Sequence, residues 1–275
     1  MRQFHVYFII ASIEGRKDLL IKLINSIRKS FFMVDIEIIV VYQYKDKKIN
    51  IDCDKLFMTR DYGVSKARNI GIDYVLDKAI DDDYICFPDD DSYYDEMAGK
   101  FSLESFAQCK ELFFGDVRDL EDRNRIGSYV ISNDKLLYNY TAINCLSFFI
   151  NVSCGRYLRF NEKFGPGGKY PAAEETEYLY QMIKRNINAK AYYDPRIKIY
   201  HPYDIASNRK TRTYAYAQGA LFKYIISDAS PAILPYLLLI IRPVVGLIIN
   251  IYNKKKYMHY KARVAGLIEG ITSKL

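Results

Sequence analysis

Apolar runs and helical spacings alternate through the first part of the chain. Continuous apolar segments rich in β-branched and aromatic residues, at 4–12, 35–44 and 83–88, predict buried strands. Between them, residues 17–30 and 65–80 repeat apolar positions every three or four residues, which predicts two helices. Because strand and helix alternate, we expect a mostly parallel sheet with helices on its faces.

The second part of the chain has a less regular pattern. A cluster of Gly and Pro at 165–171 predicts a loop, and residues 173–185 have the spacing of a helix that begins with Glu174 and Glu175. A further strand is predicted at 191–202. Carboxylates are favourable near the positive end of a helix dipole, so the two glutamates also have a purely structural explanation.

An apolar segment near the C-terminus has the length of one membrane span. Residues 231–253 are mostly apolar, have Arg242 as their one charged residue and contain three prolines. A central arginine costs about 2.5 to 3.5 kcal/mol on membrane insertion, and the basic segment 253–264 is typical of an interfacial helix. We therefore expect peripheral attachment to a membrane, with a true membrane span and a buried core helix as the alternatives.

Charge and cysteine content suggest the location of the protein. The formal net charge is +7, and residues 242–275 hold seven Lys or Arg against one Glu, which predicts an anionic membrane surface as a partner. The five cysteines form no CxxC pair and predict free thiols in a reducing cytosol. Residues 4–12 are interpreted as a strand and not as a signal peptide. We expect a cytoplasmic protein attached peripherally to the inner face of the cell membrane.

Three adjacent aspartates, Asp89 to Asp91, follow the strand predicted at 83–88. Ligands of open parallel sheets bind beyond the carboxyl ends of the strands, where residues 12–16 should also lie. Adjacent carboxylates repel one another, and a cation such as Mg²⁺ or Mn²⁺ would offset this repulsion. The sequence thus predicts a metal site, with a solvated acidic turn as the alternative. Asp90 should point away from its neighbours, and its loss should matter least.

Four segments in order resemble landmarks of family 2 glycosyltransferases with the GT-A fold. They are "FHVYFIIASIEGRKDLLIKLINSI", "DYGVSKARNIGIDYV", "ICFPDDDSYYD" and "FGPGGKYPAAEETEYLYQMI", and the resemblance extends from residue 4 to about residue 220. It implies a Rossmann-like sheet flanked by helices and inverting transfer of a sugar from a nucleotide-diphosphate donor, a UDP-sugar being favoured, to an acceptor hydroxyl. It also implies a catalytic domain at 1–222, divided into a nucleotide-binding half (1–92) and an acceptor-binding half (93–222), before a membrane-associating helical segment at 223–275.

The resemblance also assigns roles to individual residues. Glu175 is the expected catalytic base, with Glu174 as the alternative, because the family has a Glu-Asp pair at the start of this helix. A metal, Mn²⁺ or Mg²⁺, would be held by Asp91, with Asp89 and His201 as further candidates. The expected donor-binding residues are Ser12, Glu14, Arg16, Gln43, Arg68, Asn69, Asp89, Arg209 and Arg212, and Gly167 and Gly168 are expected to shape the acceptor pocket.

The sequence departs from the family pattern at two places. A glutamate, Glu175, stands where the family has the aspartate base. Tyr42 and Gln43 stand where the family usually has an aspartate that contacts the nucleobase, so the base would be held by Gln43 or by stacking on Tyr42. His201 also has a structural explanation, as a histidine packed in the protein. The basic loop with Arg209 and Arg212 has one as well, as a solvent-exposed cluster of charges.

The expected acceptor is an oligosaccharide linked to polyprenyl diphosphate in bacterial surface-polysaccharide synthesis, and a homo-oligomer is compatible with the sequence. A sugar-nucleotide pyrophosphorylase is the alternative enzyme, but it needs a glycine-rich loop after the first strand, where only Gly15 occurs. A non-catalytic membrane-surface scaffold is the third hypothesis. Nucleic acid is not expected as a partner, because the acidic cluster would repel phosphate.

Overall fold

The computed structural model describes residues 4–108, 111–126, 135–203, 207–228 and 230–274. The strands in this part of the chain are β1 (His5–Ile13), β2 (Asp35–Gln43), β3 (Lys55–Thr59), β4 (Tyr84–Cys86), β5 (Tyr93–Tyr94), β6 (Leu112–Asp119), β7 (Phe148–Asn151) and β8 (Ala191–His201). The helices are α1 (Lys17–Ser30), α2 (Val64–Leu76), α3 (Ala98–Gln108), α4 (Leu136–Asn139), α5 (Val152–Gly155), α6 (Glu174–Arg185), α7 (Asn208–Ser227), α8 (Ile233–Ile249) and α9 (Lys254–Thr272).

The described strands form one eight-stranded sheet in the order β3-β2-β1-β4-β7-β6-β8-β5. Strands β3, β2, β1 and β4 are mutually parallel, as predicted from the alternation of strand and helix. Strand β7 runs antiparallel between β4 and β6, and β8 lies parallel to β6. The prediction of a mostly parallel sheet flanked by helices is confirmed.

Both faces of the sheet are covered, which explains the continuous apolar strands. Phe8 of β1 packs with Ile24 of α1 in the core on one face. Ile9, the next residue, packs on the other face with Ile72 of α2. Successive side chains of a strand point to opposite faces, so a strand buried on both sides must be apolar at every position.

The short edge strand β3 was not predicted from the sequence. It pairs in parallel with the end of β2, where Tyr42 faces Met58 and Gln43 faces Thr59. Its five residues are not fully buried, and Met58 is exposed. An edge strand that is covered on one side does not require a long run of apolar residues. The apolar pattern of the sequence therefore did not indicate this strand.

The last three helices pack closely against one another and against the sheet domain. Gly219 of α7 and Gly266 and Gly270 of α9 lie where an added Cβ would overlap backbone atoms of the facing helix. Helix α8 is fixed by Tyr236, whose hydroxyl donates to the carbonyl of Gln218 at 2.9 Å. The predicted domain boundary after residue 222 falls inside α7, and the division stays a prediction.

The apolar segment at 231–253 forms α8 and the turn after it. No helix in the described ranges is both long enough and apolar enough to cross a membrane. Helix α8 is not a fully buried core helix, because Leu234, Ile248 and Ile249 on its outward side are largely exposed. That alternative is therefore wrong. Peripheral attachment stays a prediction. Cys53, Cys86, Cys145 and Cys154 are free thiols, as predicted, and Cys109 lies outside the described residues.

Candidate functional site

The carboxyl ends of β1 and β4 meet at one edge of the sheet. Beyond the end of β4, Asp89 forms an isolated parallel bridge with Ala11 of β1. The aspartate group, Asp89 to Asp91, therefore lies beside Ser12 and the turn that leads to Arg16. Two stretches that are far apart in sequence, which were expected to converge at this edge, are brought together by the parallel pairing of their strands.

Asp90 is the most buried member of the aspartate group, with 2% of its surface exposed. The Ser12 hydroxyl donates to its carboxylate at 2.6 Å, and the Arg16 guanidinium forms an ion pair with it. Burial raises the pKa of Asp90 to about 6, although the hydrogen bond from Ser12 opposes this shift. The expectation that Asp90 matters least is not supported by these contacts, because Asp90 fastens the acidic turn to the first loop.

Asp91 lies between two cationic groups. Arg16 donates to one carboxylate oxygen at 2.7 Å, and Nε2 of His201 lies 3.2 Å from the other. Burial favours the protonated form of Asp91, but the hydrogen bond and charge of His201, aided by Arg16, hold its pKa below the ordinary value. Burial lowers the pKa of the His201 imidazole, but the hydrogen bond and charge of Asp91, together with the charge of Asp89, outweigh this effect and raise the pKa. The structure thus brings together the predicted metal residues Asp91 and His201.

Asp89 is paired with Arg68, a buried residue of α2. The Arg68 guanidinium donates to Asp89 at 2.8 Å and lies 3.5 Å from a carboxylate oxygen of Glu174. Its carbon atom lies 5.2 Å from the ring centroid of Phe160, which is within range of a cation–π contact. Arg68 therefore joins the aspartate group to the glutamates of α6. Its contacts are with carboxylates, whereas the resemblance implied a role at the base or ribose.

The glutamate pair, Glu174 and Glu175, begins α6 directly after a strained residue. Ala173 has a φ of 69°, in the left-handed region that costs a non-glycine residue about 1 to 2 kcal/mol. Burial raises the pKa of both glutamates, while Arg68 opposes the shift. The charge of Glu174 adds to burial in raising the pKa of Glu175. The pair therefore holds protons at higher pH than ordinary glutamates do.

The glycine loop before α6 packs against the start of α2. Gly167 has a φ of 86°, and a Cβ there would come within 2.7 Å of the Gly63 Cα. The backbone N–H of Val64 donates to the carbonyl of Pro166 at 2.9 Å. A Cβ on Gly168 would overlap the carbonyl of Lys163. Close backbone approach thus explains both predicted glycines, and their part in an acceptor pocket stays a prediction.

Several predicted donor-binding residues have structural partners. Glu14 accepts three backbone hydrogen bonds from the loop after β2, and Gln43, which is buried, accepts one from the Gly63 N–H at 2.6 Å. The amide of Asn69 bonds the backbone of Phe160. These three side chains hold loops around the site. Tyr42, the predicted stacking residue, is also buried, with 4% of its surface exposed.

The two arginines expected over the diphosphate lie on α7. Arg212 forms an ion pair with Glu269 of α9, so its guanidinium is directed at the C-terminal helix. Arg209 is exposed in the first turn of α7. Neither residue contacts the aspartate group within the described part of the chain. A role in closing over a diphosphate stays a prediction for both.

Asp91 and His201 fit two positions of a divalent cation. Ligands at adjacent positions of an octahedral ion with bonds of about 2.1 Å lie about 3 Å apart, and the two side-chain atoms are separated by 3.2 Å. The described residues contain no group of three His, Cys, Asp or Glu side chains arranged to hold a metal. A cation here would thus depend on water or phosphate for its remaining ligands, which is usual for Mg²⁺.

The sequence matches no protein family and no curated protein. Solved structures are nevertheless similar in fold. The mannosyltransferase PcManGT from Pyrobaculum calidifontis, in complex with GDP-Man and Mn²⁺, gives a TM-score of 0.59 at 10% identity over 99% of this chain and 88% of its own. S. aureus TarS 1-349 gives 0.57 at 13% identity, and its complex with UDP-GlcNAc gives 0.56 at 12%, each over 96% of this chain and 90% of the other. The chain has a GT-A-like fold.

In this GT-A-like fold, sequence reasoning missed two features of the site. It undervalued Asp90, although Ser12 and Arg16 had both been assigned to the neighbouring loop. It also missed the bridging position of Arg68 between two carboxylate groups. A signal was present, since a single arginine in an apolar helix pattern must find anions when it is buried.

Proposed function

We propose that the protein is a metal-dependent inverting glycosyltransferase that moves a sugar from a nucleotide-diphosphate donor, with a UDP-sugar favoured, to an acceptor hydroxyl. The observation that carries the proposal is the pairing of two unlike carboxylate groups through Arg68. The aspartate group is compensated by Arg16, Arg68 and His201, whereas Arg68 is the one cation paired with the glutamate pair among the described residues. The GT-A-like fold supports this assignment.

The aspartate group is suited to bind the donor. Arg16 orients Asp90 and Asp91, and His201 keeps Asp91 ionised. A divalent cation bound by Asp91 and His201 would neutralise charge on the diphosphate leaving group. The chain itself supplies a fixed, partly buried set of charges that needs little rearrangement when the donor binds.

The glutamate pair is suited to accept a proton. As the acceptor oxygen forms its bond to the anomeric carbon, the bond from that carbon to the diphosphate oxygen breaks, and the acceptor hydroxyl must lose its proton. A carboxylate with a raised pKa is a stronger general base than an ordinary one. Glu175 is our candidate, because the Glu174 carboxylate is already engaged by Arg68.

For the acceptor, we retain a polyprenyl-diphosphate-linked oligosaccharide in bacterial surface-polysaccharide synthesis at the inner face of the cell membrane. It is supported by the resemblance of the sequence and by the basic, apolar C-terminal segment. The competing scaffold hypothesis makes a different prediction, namely that Asp91→Ala leaves function intact.

Calorimetric titration with UDP, GDP and dTDP, each with and without Mn²⁺, tests the proposal directly. We expect Mn²⁺-dependent binding of one nucleotide, and a loss of at least about tenfold in affinity for Asp91→Asn because the charged ligand is removed. Asp52→Asn is the matched control, since that side chain is 88% exposed and distant in sequence from the site. Folded wild-type protein that binds none of the three nucleotides would refute the proposed donor class.

A further inference from the structure

Helix α8 has an exposed apolar stripe along its whole length. Its five residues, which we call the α8 stripe, follow one another at intervals of four and three positions: Leu234, Leu238, Ile241, Val245 and Ile248. With 3.6 residues per turn, that spacing places them on one side of the helix. Leu234 and Ile248, at the two ends, are 69% and 68% exposed. The stripe is therefore a continuous apolar surface.

The opposite side of α8 is fixed to the protein. Tyr236, Pro243 and Gly246 are its buried residues, and a Cβ on Gly246 would overlap the ring of Tyr260 in α9. Because this inner face is closely packed, the stripe cannot be covered by rotation of the helix. Exposed apolar patches that extend this far usually contact another molecule.

The sequence that contains the stripe and the start of α9 has no acidic residues. Between Asp228 and Glu269 the sequence has six cationic residues and no Asp or Glu. The cationic residues are Arg242, Lys254, Lys255, Lys256, Lys261 and Arg263. Arg242 is four residues after Leu238 and three before Val245, so it borders the stripe, where a long side chain can reach outward to head groups.

Three of these lysines are in an unfavourable position within the free protein. Lys254 to Lys256 form the first turn of α9, where the helix dipole is positive and no acidic residue is present. They are exposed and lie shortly after Ile251 and Tyr252, which are 61% and 100% exposed. An anionic surface in contact with this turn would offset the repulsion among the lysines.

We propose that α8 lies in the plane of an anionic phospholipid membrane, with the α8 stripe inserted between the lipids and Lys254 to Lys256 against the head groups. Apolar insertion combined with basic charge is the usual basis of interfacial helix binding. Charge complementarity favours lipid over a second copy of the chain, since the basic segments of two copies would repel each other.

The same helices are connected to the candidate site. At the far end of α9, the carbonyl of Lys274 accepts hydrogen bonds from the Lys169 ammonium at 2.6 Å and the Tyr170 hydroxyl at 3.1 Å. Both donors belong to the loop before the glutamate pair. Helix α9 has 19 residues and is about 28 Å long. If the proposed function holds, an acceptor carried on lipid would therefore meet the site within about that distance of the membrane.

The sequence contains no tryptophan, which permits a clean test. We would replace Ile248 by tryptophan and add vesicles of phosphatidylcholine alone, or mixed with phosphatidylglycerol. Emission of Ile248→Trp should shift to the blue with the mixed vesicles and be quenched by brominated lipid. Phe32→Trp is the matched control, because Phe32 is 77% exposed but lies outside the C-terminal helices, and its emission should not change.

A second set of variants separates apolar from ionic binding. In vesicle co-sedimentation, Leu238→Glu with Ile248→Glu should lower affinity at least about tenfold, and replacement of all three lysines by Gln should lower it up to about 100-fold at low salt. Circular dichroism should show that both variants stay folded. Neither assay requires sugar transfer, so its result is independent of the proposed function.

Two results would overturn the proposal. Absence of a blue shift in folded Ile248→Trp with anionic vesicles would exclude lipid contact by the stripe. The second result has three parts: the wild-type protein is a dimer in light scattering, the Leu238→Glu, Ile248→Glu variant is a monomer, and neither protein binds vesicles. It would mean that the stripe forms the contact between two copies of the chain.

Discussion

The two carboxylate groups of the site differ in how their charges are balanced. The aspartate group has contacts with two arginines and a histidine, and Asp91 has a pKa below its ordinary value. The glutamate pair shares Arg68 with Asp89, and both of its members have raised pKa values. The carboxyl of Asp91 is thus held ionised by its partners, whereas burial inclines the carboxyls of Glu174 and Glu175 to hold a proton.

This difference indicates how one site can perform two tasks. Binding of a diphosphate with its cation requires charge that is fixed before the donor arrives. Removal of a proton from a hydroxyl requires a base with a higher pKa. Five predictions, from the largest expected effect to the smallest, test whether the two groups are as unlike as their surroundings indicate.

Replacement of the candidate base should have the largest effect. Glu175→Gln should lower the rate of sugar transfer by about 100-fold to 10,000-fold, because the group that takes the proton is removed. Nucleotide affinity should stay close to wild type, since the aspartate group is unchanged. Steady-state kinetics with a titration of the donor nucleotide would measure both. A larger loss of rate in Glu174→Gln than in Glu175→Gln would assign the base to Glu174 instead.

Removal of the shared cation should destabilise the fold. In Arg68→Met, Asp89 and Glu174 lose a buried partner, and loss of one member of a buried ion pair typically costs about 3 to 5 kcal/mol. The cost should shrink at low pH, where the carboxylates become protonated. Urea unfolding at several pH values would measure it, with Arg159→Met, a partly exposed residue paired with Asp73, as the control. A cost equal to that of the control would show that Arg68 is dispensable.

Loss of Asp90 should affect stability, and loss of Asp91 should affect activity. Asp90→Ala leaves Ser12 and Arg16 without their buried acceptor, which should lower the free energy of unfolding by about 1 to 3 kcal/mol. Asp91→Ala should cost less stability, because its partners Arg16 and His201 are partly exposed. Urea unfolding of both variants tests this order, which equal stability of the two would contradict.

A third glutamate of α6 makes the stability of the protein depend on pH. Burial raises the pKa of Glu177 to about 7 from an ordinary value of 4.5. The folded chain therefore binds this proton more tightly than the unfolded chain, and the free energy of unfolding should fall as pH rises from about 4.5 to about 7, by up to about 1.4 kcal/mol per pH unit. Glu177→Gln should reduce the slope of the free energy of unfolding against pH by up to about 1.4 kcal/mol per pH unit, whereas the exposed Glu121→Gln should leave the slope unchanged. An unchanged slope in Glu177→Gln would disprove the shift.

The strained residue before the glutamate pair should give the smallest effect. Ala173→Gly should raise the free energy of unfolding by about 0.5 to 1 kcal/mol, because glycine adopts a positive φ without the steric cost of a Cβ. Thermal unfolding would measure the gain. A less stable variant would mean that the methyl group of Ala173 contributes packing that outweighs the strain.

Much of the fold follows from local sequence. Strands such as β1 and β2 require apolar residues on both faces because helices cover both sides of the sheet. In the sequence this requirement produces a continuous stretch of apolar residues. The position of the aspartate group beyond β4 followed from the same pattern. The short strand β3 was missed, because its exposed edge imposes no such requirement.

By itself the sequence determined the long buried strands β1 and β2, the helices α1, α2 and α6, and the end of the sheet that holds the acidic residues, since these depend on short-range patterns of polarity. Only the tertiary structure decided the task of each carboxylate. Asp90 became an anchor because Ser12 and Arg16, 78 and 74 positions away in sequence, are hydrogen-bonded to it. The pKa of Glu175 depends on burial and on the charges of Glu174 and Arg68. Such electrostatic effects act through space, and the order of residues along a chain does not specify them.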